Sequence, residues 1–360
     1  MIRFSHSAHD KFLGCPREWQ LHYEENLRSA NTGSPLIFGT AIDEACENYL
    51  LNREPLSARE TFKRLMEYQQ INGIETHLPQ CTQIEYRPAD FDADLFLESD
   101  NKLLCESSVF TSTKEAYKHL QGKVYKTEDD KLLWNWLNWT SLRRKGKFLV
   151  NAFMDFVDEH VEEVLSTQAK IELEDEKGNA ITGKADMVVK LRNHPHPVVL
   201  DLKTTTMYYD KNSVKESKQL ALYTFYLREI HPGMKKAGYI VLNKTIKKNK
   251  QKICQKCGHD DTGKTTKTCT NLVDGARCGG NYDITLFPEA STQFILDEIP
   301  ESMIESVIEE FNLTVKKVEN REITQNWDNC VRFNGKIKCT YYEFCRTGCM
   351  DGLIKKEKKE

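Results

Sequence analysis

The chain has 360 residues, 39% hydrophobic and 29% charged, a balance that suits a folded, water-soluble protein and excludes a disordered one. No stretch approaches the roughly 18 apolar residues of a membrane span, and the opening MIRFSHSAHDKF lacks the apolar core of a secretory signal. Lys and Arg number 51 against 54 Asp and Glu, a formal net charge of -3, so any attraction for nucleic acid has to come from local basic surface.

The first seventy residues are expected to be helical. Ser5 or Ser7 can cap a segment holding Phe12, Leu13, Trp19 and Leu21, interrupted at Pro16; a second helix is expected over 36–51, and Ser57 with Glu60 forms a capping box for a third. Residues 80–143 mix short apolar pieces with charge and crowd Trp134, Trp136 and Trp139 together, which suggests a helical or irregular insertion. Over 145–165 the apolar positions follow helical spacing, the last of them being Val161, Val164 and Leu165. The period then changes: AKIELEDEKGNAITGKADMVVKL reads as a hairpin turning at Gly178–Asn179, and VVLDLKTTT as a buried central strand. A helix over 214–230, the strand AGYIVLN, a Lys-, Gly- and Cys-containing stretch over 244–283, a helix near 300–321 and a cysteine-rich tail complete an α/β order without internal repeats.

Twelve cysteines without an export signal point to metal ligation rather than disulfides. Cys254, Cys257, Cys269 and Cys278 form one group; the Cys-x-x-Cys half is a tight knuckle that aims two sulfurs at one tetrahedral ion, and the whole reads as a zinc ribbon inserted in the chain. Cys330, Cys339, Cys345 and Cys349 form another group. Lys244, Lys247, Lys248, Lys250 and Lys252 run up to the ribbon with no acidic residue among them, a local field suited to a nucleic-acid backbone or simply a solvated face. His6, His9 and His22 fall near the first helix and read as structural or surface groups.

The densest chemistry lies between Gly183 and Lys203. Asp201 and Lys203 flank Leu202 and share a strand face by period-two alternation, and Asp186 precedes them on the hairpin. Two carboxylates and an ammonium at strand ends suit Mg2+ or Mn2+ at a phosphodiester; an ordinary surface ion pair is the competing reading. Gly183-Lys-Ala-Asp186, Asp201-Leu-Lys203 and Gln219-Leu-Ala-Leu-Tyr223 together resemble the RecB-like PD-(D/E)XK nucleases, which include CRISPR-associated RecB-like exonucleases and phage exonucleases.

The resemblance implies a restriction-endonuclease-like core, a mixed central β-sheet flanked by helices, with N-terminal helices, the inserted zinc ribbon and a C-terminal iron–sulfur region. It assigns Asp186, Asp201 and the Leu202 carbonyl to the metal, Lys203 to the attacking water, and Gln219 and Tyr223 to substrate. Gly39-Thr-Ala-Ile-Asp43 matches the first family motif with Asp43 where a metal-binding His is usual, and Glu44 competes with it. Cys15 would join Cys330, Cys339 and Cys345 around a structural [4Fe–4S] cluster; Cys349 is an alternative to Cys330, and zinc an alternative to iron.

The expected division is 1–79 for the first motif and first cluster cysteine, 80–144 for an insertion, 145–243 for the nuclease core, 244–283 for the zinc ribbon, and 284–360 for the C-terminal helix and cluster cysteines. The expected function is a metal-dependent DNA exonuclease acting on single strands or duplex ends. Its setting would be recombination, repair or phage replication in the cytoplasm of a bacterium or phage-infected cell, alongside recombination or replication proteins and away from membranes. A catalytically inactive DNA-binding scaffold and a partner-recruiting zinc-ribbon protein are the alternatives.

Overall fold

The computed structural model describes residues 2–29, 34–69, 103–105, 108–110, 128–174, 177–332 and 337–356. Most of the expected 80–143 insertion lies outside these residues. The N-terminal part is helical but not wholly so. A short strand β1 (Arg3–Ser5) runs into α1 (His6–Gly14), which Ser5 caps by accepting the Ala8 N–H at 3.1 Å. Pro16 opens the four-residue α2 (Pro16–Trp19), which passes into a π-turn and then β2 (Leu27–Ser29). The expected second helix is α3 (Ser34–Asn52). The third, α4 (Pro55–Gln69), starts two residues before the expected cap: Pro55 has no N–H to leave unpaired, and Ser57 instead donates its hydroxyl to Asn48 Oδ1 at 2.8 Å, tying α4 to α3.

After a small hairpin, β3 (Leu103–Cys105) and β4 (Ser108–Phe110), a long helix α5 (Glu128–His160) leads directly into β5 (Val161–Glu174). The helix expected over 145–165 thus begins earlier and ends sooner, and Val161, Val164 and Leu165 belong to a strand. The Arg192 N–H takes the His160 carbonyl at 3.0 Å, and the β-branched valines that follow pair with the next strand. The chain continues through β6 (Ala180–Leu191), β7 (Val198–Thr205), α6 (Lys218–Ile230) and β8 (Lys236–Cys254). Two-residue strands β9 (Leu272–Val273) and β10 (Ala276–Arg277) precede β11 (Tyr282–Glu298) and α7 (Glu301–Glu319). The tail holds β12 (Val331–Arg332), β13 (Ile337–Lys338), α8 (Tyr342–Thr347) and β14 (Leu353–Lys355). Among the described residues no helix is long and apolar enough to cross a membrane.

The sheet runs β1-β6-β7-β8-β11, with β5 on the other edge of β6. Its strands come from Arg3 to Glu298, well beyond the 145–243 segment in which the sequence concentrates the nuclease motifs. β7 is central, as its apolar run requires: Val198, Val199, Leu200 and Leu202 are all buried. Alternation sends Met187, Leu200, Leu202, Ile240 and Leu242 into a core shared with α3, α4 and α5, and Val188, Val199 and Val241 into one shared with α1, α6 and α7. Covering both faces leaves the functional groups to a place where one strand parts from its neighbours.

One irregularity of this sheet creates the site. On a single edge of β6, β1 pairs in parallel with Ala180–Thr182, and β7 pairs antiparallel with Met187–Val189. The residues between, Gly183 to Asp186, belong to neither ladder. β8 and β11 stay paired from Lys236↔Glu298 to Cys254↔Tyr282, a ribbon whose tip carries the first cysteine group. At the opposite end of the sequence the tail is fastened to the N-terminal part, with β14 pairing β2 and the Tyr341 hydroxyl donating to the Leu27 carbonyl at 2.9 Å.

Candidate active site and cysteine centres

Asp186 lies in the gap of β6. With no strand partner there, its Oδ2 accepts the Leu202 N–H at 2.8 Å and so joins the strand that carries Asp201 and Lys203. Asp201 is 1% exposed; the Lys203 ammonium lies 2.6 Å from its Oδ2, an ion pair in which that oxygen has no aligned hydrogen-bond donor. From the α3 side, Asp43, Cys46 and Glu47 line a narrow cleft together with Gln168, Asp186, Met187 and Leu202. Asp186 thus borders the cleft with Asp43 and is bonded to the strand that carries Asp201 and Lys203.

Burial and mutual repulsion dominate the electrostatics. Burial, with Asp201 nearby, pushes the Asp43 carboxyl up to about 6. Burial and Asp201 push Asp186 up to about 7, although the Leu202 N–H pulls the other way. Burial also raises Asp201, against the pull of Lys203. For Lys203, burial works against the charge, but Asp201 and Asp186 overcome it and hold the ammonium pKa above its ordinary value. Three carboxylates against one firmly protonated lysine leave an excess of negative charge in a poorly solvated place. A divalent cation would relieve that excess, and the donors are oxygens, as Mg2+ or Mn2+ prefers.

Lys203 is held from its other side as well. Its Nζ donates to Gln219 Oε1 at 3.3 Å, Gln219 Nε2 donates to the Tyr223 hydroxyl at 2.7 Å, and that hydroxyl donates to the Lys184 carbonyl at 2.9 Å. Gln219 and Tyr223 are one turn apart on α6, which Ser217 caps by accepting the Leu220 N–H. The relay ends on the backbone of the same stretch of β6, on the edge between the β1 and β7 ladders. Gly183 makes room for it, since a Cβ there would sit 3.1 Å from Tyr223 Cε1.

Two neighbours escaped the sequence reading. His6, taken there as structural or surface, interacts electrostatically with Lys203, Lys218 and Asp201, and burial lowers its pKa. Only the parallel pairing of β1 with β6, invisible in three residues of sequence, brings it there. Glu47 accepts a hydrogen bond from Thr167 at 3.2 Å and lies one turn beyond Asp43, a spacing that could have flagged it. His9 and His22 are structural: His9 stacks on Phe311 and bonds Thr314, and His22 bonds the Tyr341 hydroxyl.

The Sγ atoms of Cys254, Cys257, Cys269 and Cys278 all lie within 4.8 Å of one another, with 3.6 Å across the Cys254–Cys278 and Cys257–Cys269 pairs. Among the described residues this is the group of three or more potential ligands that converges so closely; the carboxylates of Asp43, Asp186 and Asp201 stand more openly. Four sulfurs around one ion at about 2.3 Å would stand a little under 4 Å apart, so the donor set fits a single tetrahedral metal. Gly280 lets the sulfurs approach, because a Cβ there would lie 2.7 Å from Cys254 Sγ. Burial pushes the Cys254 thiol up, but the amides of Cys257 and Lys256 bring it down to about 6. Asp261, fully buried, ties the loop by accepting from Lys264, from the Tyr282 hydroxyl at 2.7 Å and from the Thr270 N–H at 3.3 Å.

Cys15 and the tail are brought together as well. Cys15 Sγ accepts the Asn326 N–H, the Cys330 thiol donates to the Asn326 carbonyl, and the Cys339 N–H donates to the Cys330 carbonyl at 2.7 Å. Cys339 and Cys345 both interact electrostatically with Cys15 and Cys330. Cys349 follows the left-handed Gly348, and its N–H donates to the Thr347 hydroxyl at 3.2 Å.

The five lysines divide. Lys244 lies over the Phe38 ring, 5.7 Å from its centroid, and Lys252 donates to the Lys264 and Thr266 carbonyls while lying over Tyr282. Lys252 therefore braces the cysteine loop. The side chains of Lys247, Lys248 and Lys250 lie outside the described part; their backbone forms the ribbon.

A family model described as the PD-(D/E)XK nuclease superfamily matches residues 3–346. No curated protein matches the chain at a significant level.

Proposed function

Because the chain belongs to the PD-(D/E)XK nuclease superfamily, we propose that it is a Mg2+- or Mn2+-dependent deoxyribonuclease of the RecB-like type, acting as an exonuclease on single strands or duplex ends. The observation that carries this reading is the meeting of Asp186, Asp201 and Lys203 where β6 has left the β1 ladder and not yet joined β7. Asp186 and Asp201, with the Leu202 carbonyl, would hold the ion, and Asp43 would reach it directly or through water, since Mg2+ takes one or two carboxylates and keeps several waters. The ion supplies charge neutralisation at the phosphate and makes its bound water more acidic.

The protein's own groups do the rest. Lys203 remains an ammonium, so it donates to the attacking water or to a phosphate oxygen and offsets charge developing there. Gln219 and Tyr223 keep that ammonium aimed, because each member of the relay is fixed by the next. The tight thiolate set suits zinc, and the looser Cys15, Cys330, Cys339 and Cys345 set suits a [4Fe–4S] cluster, whose four cysteines bind different metal atoms. Both would be structural: one closes the tip of the ribbon, the other clasps the chain ends. Lys244 and the ribbon lysines Lys247, Lys248 and Lys250 would follow the DNA backbone, giving salt-sensitive binding.

The test is digestion of end-labelled linear DNA and of closed circular DNA with Mn2+, using anaerobically purified protein whose iron and zinc are counted. Wild type should degrade the linear substrate and spare the circle, and Asp201→Asn and Lys203→Ala should abolish degradation. Undiminished degradation by both variants would refute the active-site reading. Salt-sensitive DNA binding without cleavage would favour an inactive DNA-binding scaffold.

A further inference from the structure

Gln168 is in a conformation that neither a turn nor a helix end explains. Five non-glycine residues among those described have positive φ. Arg53 and Arg321 follow helices, Asn26 follows the π-turn, and Asp274 precedes Gly275 in the β9–β10 turn. Gln168, at φ 49°, lies inside β5. Only a residue without a Cβ adopts that region freely, so a glutamine is held there by its surroundings.

The consequence for the strand is local and directed. β5 pairs with β6 at Thr167↔Met187 and again at Ala169↔Ala185, and the position skipped is that of Gln168 opposite Asp186. In a regular strand Thr167 and Ala169 would share a face. Here Thr167 reaches Glu47 on α3, whereas Ala169 packs into the core on the opposite face of the sheet. At the crossover Gln168 lines the cleft with Asp43, Glu47 and Asp186. Strained backbone that re-aims one polar side chain into a cleft is what functional sites retain and structural strands discard.

We propose that Gln168 is a positioning residue for the divalent ion that the carboxylates of this cleft would hold: its amide oxygen would accept a hydrogen bond from a water bound to that ion. This rests on the metal-site reading above. An amide suits the task, since it adds an acceptor without adding a fourth negative charge to carboxylates that already repel one another.

Glycine at 168 separates this role from a merely architectural one, because it adopts the left-handed conformation freely and removes only the side chain. The measurements are calorimetric titration of the zinc-loaded full chain with Mn2+, melting without added Mn2+, and steady-state cleavage. Gln168→Gly should raise the melting temperature, weaken Mn2+ binding by roughly 10-fold, the loss typical of groups that orient a metal's ligands, and lower kcat with little change in KM for DNA. Gln168→Glu, which keeps the acceptor, should retain Mn2+ affinity at or above the wild-type level. Wild-type Mn2+ affinity and kcat in Gln168→Gly would overturn the inference. Asp201→Asn serves as the reference: if it too binds Mn2+ normally, the metal-site reading falls, whereas if it loses Mn2+ while Gln168→Gly does not, only the role of Gln168 falls.

Discussion

The Leu202 amide donates to Asp186 Oδ2 across 2.8 Å, and this one bond ties the first carboxylate of the site to the strand bearing the second. It forms where β6 has left the β1 ladder and not yet entered the β7 ladder, so a backbone N–H that a regular sheet would pair with a carbonyl is free for a side chain. The Asp186 carboxylate is thus positioned by a main-chain amide, whereas Lys203 is held by the side chains of Asp201 and Gln219.

Lys203 balances a carboxylate that is almost fully buried, and its loss should be felt in stability as well as activity. Lys203→Met should lower cleavage by ~100-fold or more and destabilise the metal-free fold by about 2 kcal/mol, less than a wholly buried pair because the lysine side chain is 33% exposed. Chemical denaturation with and without Mn2+ checks this: added Mn2+ should recover part of the lost stability but none of the activity. A metal-free stability equal to that of wild type would contradict it.

The relay behind Lys203 can be cut at one atom. Tyr223→Phe removes the hydroxyl that donates to the Lys184 carbonyl and accepts from Gln219. We expect a loss of about 1 kcal/mol in stability from the unpaired carbonyl and a ~10-fold fall in kcat, with KM for DNA nearly unchanged, because an ammonium aimed less well still attracts phosphate. A large rise in KM at constant kcat would instead assign Tyr223 to substrate contact.

The raised carboxyl pKa values have a definite sign. Asp43 at about 6 and Asp186 at about 7 bind protons in the folded chain at pH values where the unfolded chain has released them. Between roughly pH 4 and pH 7 the folded state therefore carries more protons, and stability from these groups falls as pH rises through that window. Metal-free protein should melt lower at pH 8 than at pH 5.5, and Mn2+ should flatten the trend by favouring the ionised form. Asp186→Asn, which keeps an acceptor for the Leu202 amide, should weaken the pH dependence in the absence of metal. An unchanged profile in this variant would remove Asp186 as its source.

Cysteine chemistry should separate the two centres. Cys257→Ser should lose close to one zinc per chain and expose the 254–282 loop to protease while the sheet still melts cooperatively, since that module sits at the tip of the β8–β11 ribbon. Cys15→Ala should leave zinc untouched, remove iron, and loosen the pairing of β14 with β2 that closes the chain ends. Hydrogen exchange at Leu27–Ser29 and Leu353–Lys355 reads the second effect directly; protection unchanged in Cys15→Ala would deny the cluster its clasping role.

Residue types and local spacing were enough to mark several groups in advance. Asp201 and Lys203 had to share a face because a strand alternates, Gln219 and Tyr223 had to stack because a helix turns every 3.6 residues, and Cys254-Gln-Lys-Cys257 had to point two sulfurs one way. Such features depend on neighbours a few residues apart, and sequence carries them faithfully. The helix-to-strand change at His160–Val161 was misplaced because Val161 and Val164, three apart, fit helical spacing, whereas irregularities in the β5–β6 pairing let a strand send both to the same core. The gap in β6, the arrival of His6 beside Lys203, and the left-handed Gln168 opposite Asp186 were beyond reach for a different reason. The first two depend on β1 becoming a neighbour of β6 across more than a hundred residues, and the third on β5 turning Thr167 towards α3 and Ala169 into the other core; these choices are made by the packing of two cores against one sheet, not by any local pattern.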